Sequence, residues 1–137
     1  MIGALDTAES LQHAPGVPAS VTPIALRSVA PVFSTSDVAL WLAHYHALGF
    51  AVQAHDDDYG FAKMGDVVIH VSRNPHHDPG TTPGCAYLEV EDATALWQQW
   101  STVAGGRNVE PVDTDYGISE GAHIDAEGNL LRYGSRR

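Results

Sequence analysis

Residues 29–73 read VAPVFSTSDVALWLAHYHALGFAVQAHDDDYGFAKMGDVVIHVSR, and the order of elements in them decides the fold. Val29–Ser34 is a short β-prone run closed by STSD, where Ser36 or Asp37 is placed to cap a helix. Val38, Trp41, Leu42, Tyr45 and Leu48 then recur at helical spacing, which predicts an amphipathic helix stopped by Gly49. Phe50–His55, Tyr59–Met64 and Val67–Arg73 read as strands, separated by Asp56–Asp58 and by the turn-prone pair Gly65–Asp66. The unit is therefore strand, helix, and three strands.

Further along, the same order returns. Cys85–Val90 reads as a strand, and Asp92 caps a helix carrying Ala93, Leu96, Trp97, Trp100 and Val103, ended by Gly105–Gly106. Val109–Val112, Ile118–Asp125 and Leu130–Tyr133 complete three more strands, the last pair joined by the turn Ala126–Asn129. The two helix caps, Asp37 and Asp92, lie 55 residues apart. The fold class expected is thus α+β, a duplicated βαβββ unit forming two mixed sheets. Module one covers about 29–73 and module two about 85–135, joined by the Pro-rich connector 74–84. Residues 1–27 hold Pro15, Pro18 and Pro23 without an apolar period and read as an arm, with a short helical turn expected at Glu9–His13. Such an arm is either loose or packed across a partner subunit.

A chain of 137 residues, 44% hydrophobic and 18% charged, has the size and composition of one folded domain, here residues 28–137 after the arm. The net charge of −10 argues against a nucleic-acid partner, which needs clustered positive charge, and favours a cationic ligand. The one cysteine, Cys85, excludes an internal disulfide framework. No apolar run approaches membrane-spanning length and no secretory leader is recognisable, so no membrane partner is expected and the default compartment is the cytoplasm.

Three stretches carry a resemblance: APVFSTSDVALWLAHYHALGF (30–50), YGFAKMGDVVIHVSRNPHHDP (59–79) and YGISEGAHIDAEGNLLRYG (116–134). In order, and on top of the duplication, they resemble the bleomycin-resistance proteins of the vicinal oxygen chelate superfamily, which also holds glyoxalase I and extradiol dioxygenases. The resemblance implies two cupped βαβββ sheets. The superfamily's enzymes place a metal ligand on each of four strands, and carrying that pattern across gives Ala30, His70, Cys85 and Arg132 here. Only His70 is an ordinary donor, Cys85 is an unusual one, Ala30 has none, and Arg132 repels a divalent cation. Neither a metal nor another cofactor is therefore expected. The antibiotic-binding branch instead implies a homodimer whose interface grooves bind a cationic glycopeptide without modifying it, and its groove positions match Tyr59, His70, Ser72, Tyr87, Glu89 and Tyr116. A metal-dependent lyase or dioxygenase, and a binder of another small metabolite, are the alternative readings.

Strand alternation agrees independently. Val68, His70 and Ser72 share one face of their strand, and Cys85, Tyr87 and Glu89 share one face of theirs. Polar groups on those faces suit a ligand groove better than an apolar core, the alternative being a merely solvated sheet. His44 and His46 are expected on the polar side of the first helix, and His76 and His77 as solvated loop residues. Cys85 reads as a small buried side chain, and the face of His123 is open to one residue of register.

Overall fold

The computed structural model describes Gly16 and residues 18–137; the helical turn expected at Glu9–His13 lies outside them. The first module runs β1 (Val32–Thr35), α1 (Val38–Leu48), β2 (Ala51–Asp56), β3 (Tyr59–Met64) and β4 (Val67–Arg73). The second runs β5 (Cys85–Glu89), α2 (Ala93–Trp100), β6 (Arg107–Asp113), β7 (Ile118–Ile124) and β8 (Leu130–Arg136). Each module is a four-stranded mixed sheet, ordered β1-β4-β3-β2 and β5-β8-β7-β6. In each, the first strand pairs parallel with the last and the other pairs are antiparallel. The duplicated α+β architecture expected from the sequence is the one observed.

Local chemistry explains the helix ends. The carboxylates of Asp37 and Asp92 accept from the backbone N–H of Leu40 and Ala95, at 3.1 and 3.0 Å, satisfying donors that the first turn leaves free. Gly49 closes α1 at φ 109°, a left-handed conformation that a side chain would strain. The second helix is shorter than its apolar period suggested and ends at Trp100, leaving Val103 in the turns that follow. Ser101, Thr102 and Val103 donate their N–H groups to the carbonyls of Trp97, Gln99 and Trp100, and the Thr102 hydroxyl caps Gln99 O at 2.7 Å. These bonds tighten the chain out of the helix well before Gly105. Strand β1 begins three residues later than expected, at Val32 after Pro31. Strand β8 continues to Arg136, since β7 offers partners as far as Ile118.

Both helices pack into one core. Phe33, Trp41, Tyr45, Phe50, Ile69 and Val71 from module one join Trp100, Leu131 and Tyr133 from module two in a single buried cluster. Large apolar side chains of this kind each contribute about 1.5–3 kcal/mol relative to exposure. Polar ties cross the same seam: Trp100 Nε1–H donates to Leu48 O at 2.9 Å, and the Tyr45 hydroxyl donates to Asp125 Oδ2 at 2.8 Å. Asn129 stitches the strand starts, accepting from Gly84 N and donating to Ser34 O, each at 2.9 Å. Since the helix faces of both sheets are spent on this shared core, the opposite, cupped faces look outward. Among the described residues no helix is long and apolar enough to cross a membrane.

Histidines expected at the surface also enter the seam. The His44 ring sits 2.9 Å, Nε2 to Nε2, from His123. His123 is fully buried on the helix side of β7, which settles its face. The His77 side chain is fully buried too, 2.7 Å from Ser34 Oγ and 3.0 Å from Glu127 Oε2. Both corrections have one cause: the partners belong to distant segments, so a helix face or a loop judged alone looks solvated.

Candidate functional site

On the outward face of the first sheet, register places Tyr59 opposite Ser72 and Phe61 opposite His70. The Tyr59 hydroxyl shares a 2.8 Å hydrogen bond with His70 Nδ1. The Phe61 ring meets His70 edge-on at 4.8 Å and Tyr59 at 5.5 Å. Three of the expected residues, Tyr59, His70 and Ser72, are thus brought together, and Phe61 completes an aromatic floor. Phe61 was legible as the next residue of the Tyr59 face at a spacing of two.

The second sheet carries the deeper feature. A groove of about 780 Å³ is lined by Tyr87, Glu89, Tyr116, Glu120 and Arg132 among others. Tyr87, Glu89 and Tyr116, the remaining expected residues, therefore share one cavity. Its centre is Glu120, missed by the sequence reading. Its carboxylate accepts from the Tyr116 hydroxyl and, at 2.8 Å, from the Tyr87 hydroxyl. Arg132 lies 4.0 Å from the same carboxylate, with its guanidinium 5.8 Å from the Tyr87 ring centroid. The hydroxyl donors, Tyr116 first and then Tyr87, hold the Glu120 carboxyl below its ordinary range, so it is an anion at neutral pH. Burial and the bond to Glu120 push the Tyr87 phenol up to about 12, and it stays protonated. Tyr87 and Tyr116 remain 40% and 61% exposed, which leaves ring faces free to stack. Glu120 could have been found from the alternation of β7, where Ile118, Glu120 and Ala122 oppose the buried His123.

The two sets do not meet. Among the described residues no hydrogen bond or ring contact links the Tyr59–His70 cluster to the Tyr87–Glu120 groove. They sit on different sheets whose other faces share a core.

Register places the four strand positions on outward faces. Val32 lies opposite His70 and Tyr87 opposite Arg132. Ala30 precedes β1 and Cys85 pairs with Leu130, so both fall two residues away, on the same face. Cys85 is exposed, not buried, because that face of β5 opens outward. The set of alanine, histidine, cysteine and arginine holds one ordinary donor and a fixed positive charge, which does not fit a divalent metal. Among the described residues no group of three or more His, Cys, Asp or Glu stands where it could hold one.

No protein-family model matches the sequence, and no curated protein matches it. Solved structures do. A bleomycin resistance determinant encoded on the transposon Tn5 superposes with a TM-score of 0.74 at 22% identity, over 82% of this chain and 99% of that one. A bleomycin-binding protein from bleomycin-producing Streptomyces verticillus, complexed with copper(II)-bleomycin, gives 0.72 at 22% identity, over 84% and 100%. A glyoxalase/bleomycin resistance protein/dioxygenase from Nocardioides gives 0.65 at 11% identity, over 83% and 86%. The fold is the one these proteins share.

Proposed function

We propose that this chain is a non-enzymatic binding protein that sequesters a cationic, partly aromatic glycopeptide of the bleomycin type. Its grooves are formed by two copies, the Tyr59–His70–Ser72 cluster of one facing the Tyr87–Glu89–Tyr116 groove of the other. The observation that carries this reading is the groove around Glu120: two tyrosine hydroxyls converge on an ionised carboxylate while their rings stay open. Such a surface suits planar rings with attached positive charge. Glu89 stands in the same groove with no hydrogen-bond or ion-pair partner among the described residues, free to meet a cation.

Chemistry on the ligand finds little support here. The four strand positions that carry metal in the fold's enzymes supply one ordinary donor, His70, whose Nδ1 is engaged by Tyr59. The exposed ring faces instead favour retention. A micromolar complex needs about −8 kcal/mol, within reach of a few stacked rings with charge complementarity. Two copies are favoured because each half-site is open in one chain.

Calorimetry with metal-free bleomycin tests the reading. Micromolar binding is expected, weakened about tenfold or more by Tyr59→Ala or Tyr116→Ala, since about 1.4 kcal/mol is a factor of ten. Absence of heat at high micromolar concentration would overturn sequestration of this ligand and leave the fold untouched.

A further inference from the structure

The groove of the second sheet carries both signs of charge in a fixed pattern. Cα pairing sets Glu89 level with Gly134 on one side and Glu120 level with it on the other. Strand alternation puts Arg132 and Arg136 on the same outward face of β8, two residues before and two residues after that glycine. Carboxylates therefore flank Gly134 across the sheet, and guanidiniums flank it along the strand. No side chain at Gly134 divides them, and the Tyr87 hydroxyl occupies the space where a β-carbon would stand. The chain has seven basic residues against seventeen acidic ones, so a pair of arginines in one groove runs against its general charge.

The four groups are not equivalent. Glu120 is engaged by two tyrosine hydroxyls and lies 4.0 Å from Arg132. Glu89 and Arg136 are exposed, and neither side chain has a hydrogen-bond or ion-pair partner among the described residues. Other arginines of this surface are tied, Arg73 to Asp58 at 3.5 Å and Arg137 to Asp113 at 3.7 Å. One strand step and two residues separate Glu89 from Arg136, about 8 Å between Cα atoms at ordinary sheet spacing. An unpaired anion and an unpaired cation thus stand a short distance apart in one groove, beside the exposed face of Tyr87.

We propose that this groove takes the zwitterionic part of a ligand. An ammonium or guanidinium of the ligand meets Glu89, a carboxylate of the ligand meets Arg136, and the group joining them lies over the Tyr87 ring. A carboxylate matches the planar guanidinium fork through two parallel N–H···O bonds. A dianionic phosphate does not suit the site, because Glu89, Glu91 and Glu120 outnumber the two arginines of the groove. The same imbalance selects a ligand whose total charge stays positive. This inference rests on the sequestration reading of the groove and adds to it a carboxylate that a purely cationic ligand lacks.

Chemical-shift titration of the full-length protein with the tripeptide Gly-Trp-Gly and with its C-terminal amide tests it. The peptide places an ammonium, an indole and a carboxylate within a span of about 10 Å, and the amide removes only the negative charge. The acid is expected to bind about fivefold more tightly than the amide, the upper end for a solvent-exposed ion pair. In Arg136→Gln that preference should vanish while the affinity for the amide stays unchanged. Glu89→Gln should weaken both peptides alike, because each carries the ammonium. Equal binding of acid and amide, tighter binding of the amide, or no binding of either at millimolar concentration would overturn the proposal. So would a preference that survives in Arg136→Gln. Calorimetry with bleomycin separates this from the reading beneath it. Bleomycin binding without any preference for the acid refutes the carboxylate subsite alone. A preference for the acid without bleomycin heat refutes sequestration of bleomycin and keeps the subsite.

Discussion

Acidification from pH 7 to pH 4 should loosen the seam between the modules through His123. That ring is fully buried, with Nδ1 2.8 Å from Asn108 Oδ1 and Nε2 2.9 Å from His44 Nε2. An amide oxygen only accepts, so Nδ1 carries the proton and the His44 Nε2–H donates across the seam to a bare Nε2. A second proton on His123 would set two N–H groups against each other in the core. Burial first, and then the neighbouring His44, accordingly push His123 down to about 4, while burial lowers His44 despite the nearby Asp125 carboxylate. Because the folded value lies below the unfolded one of about 6.5, the unfolded chain binds more protons between them. Stability is therefore complete above about pH 6.5 and is lost as pH falls toward 4. At about 1.4 kcal/mol per pH unit, His123 alone accounts for a loss of at most about 3 kcal/mol. Urea unfolding at pH 7, 6, 5 and 4 measures it. In His123→Gln the slope between pH 6.5 and 4.5, above the range where most carboxylates titrate, should shrink to the part due to His44. A wild-type stability that is flat or rises over that interval would refute the reasoning.

Other perturbations separate the groove from the scaffold. A methyl group at Gly134 would overlap the Tyr87 hydroxyl, so Gly134→Ala should displace that ring and cut bleomycin affinity several-fold by calorimetry. Glu89→Gln should weaken binding and flatten its salt dependence, because the lost contribution is an attraction that salt screens. Trp100→Phe leaves Leu48 O without its indole donor and should cost about 1–3 kcal/mol in urea unfolding, with the groove residues untouched.

Much of this molecule was readable from local chemistry. Tyr59–Met64 and Val67–Arg73 end where expected because Asp56–Asp58, Gly65 and Asp66 force turns there. The alternation in Val67–Ser72 and Cys85–Glu89 assigned outward faces correctly, since Ile69 and Val71 are buried and Ala86 and Leu88 pack partly buried against the core. What escaped depends on partners far away in sequence. His44 and His77 look like surface residues until His123, 79 positions away, and Glu127, 50 positions away, fold against them. Likewise, Glu120 is a lone carboxylate on a strand until Tyr87 and Tyr116 turn their hydroxyls to it.

The central claim is that each ligand groove joins half-sites of two copies, and complementation between disabled chains tests it most directly. One variant carries Tyr59→Ala and His70→Ala, the other Tyr87→Ala and Tyr116→Ala, and each alone should fail to bind bleomycin in a calorimeter. Mixed in equal amounts and allowed to exchange, half of the dimers are heterodimers, and each of these has one groove built from two intact halves. Binding should then return in about one groove in four, at wild-type affinity. If the mixture binds no more than its separate components while wild-type protein binds normally, the groove is not shared between copies and the account is wrong.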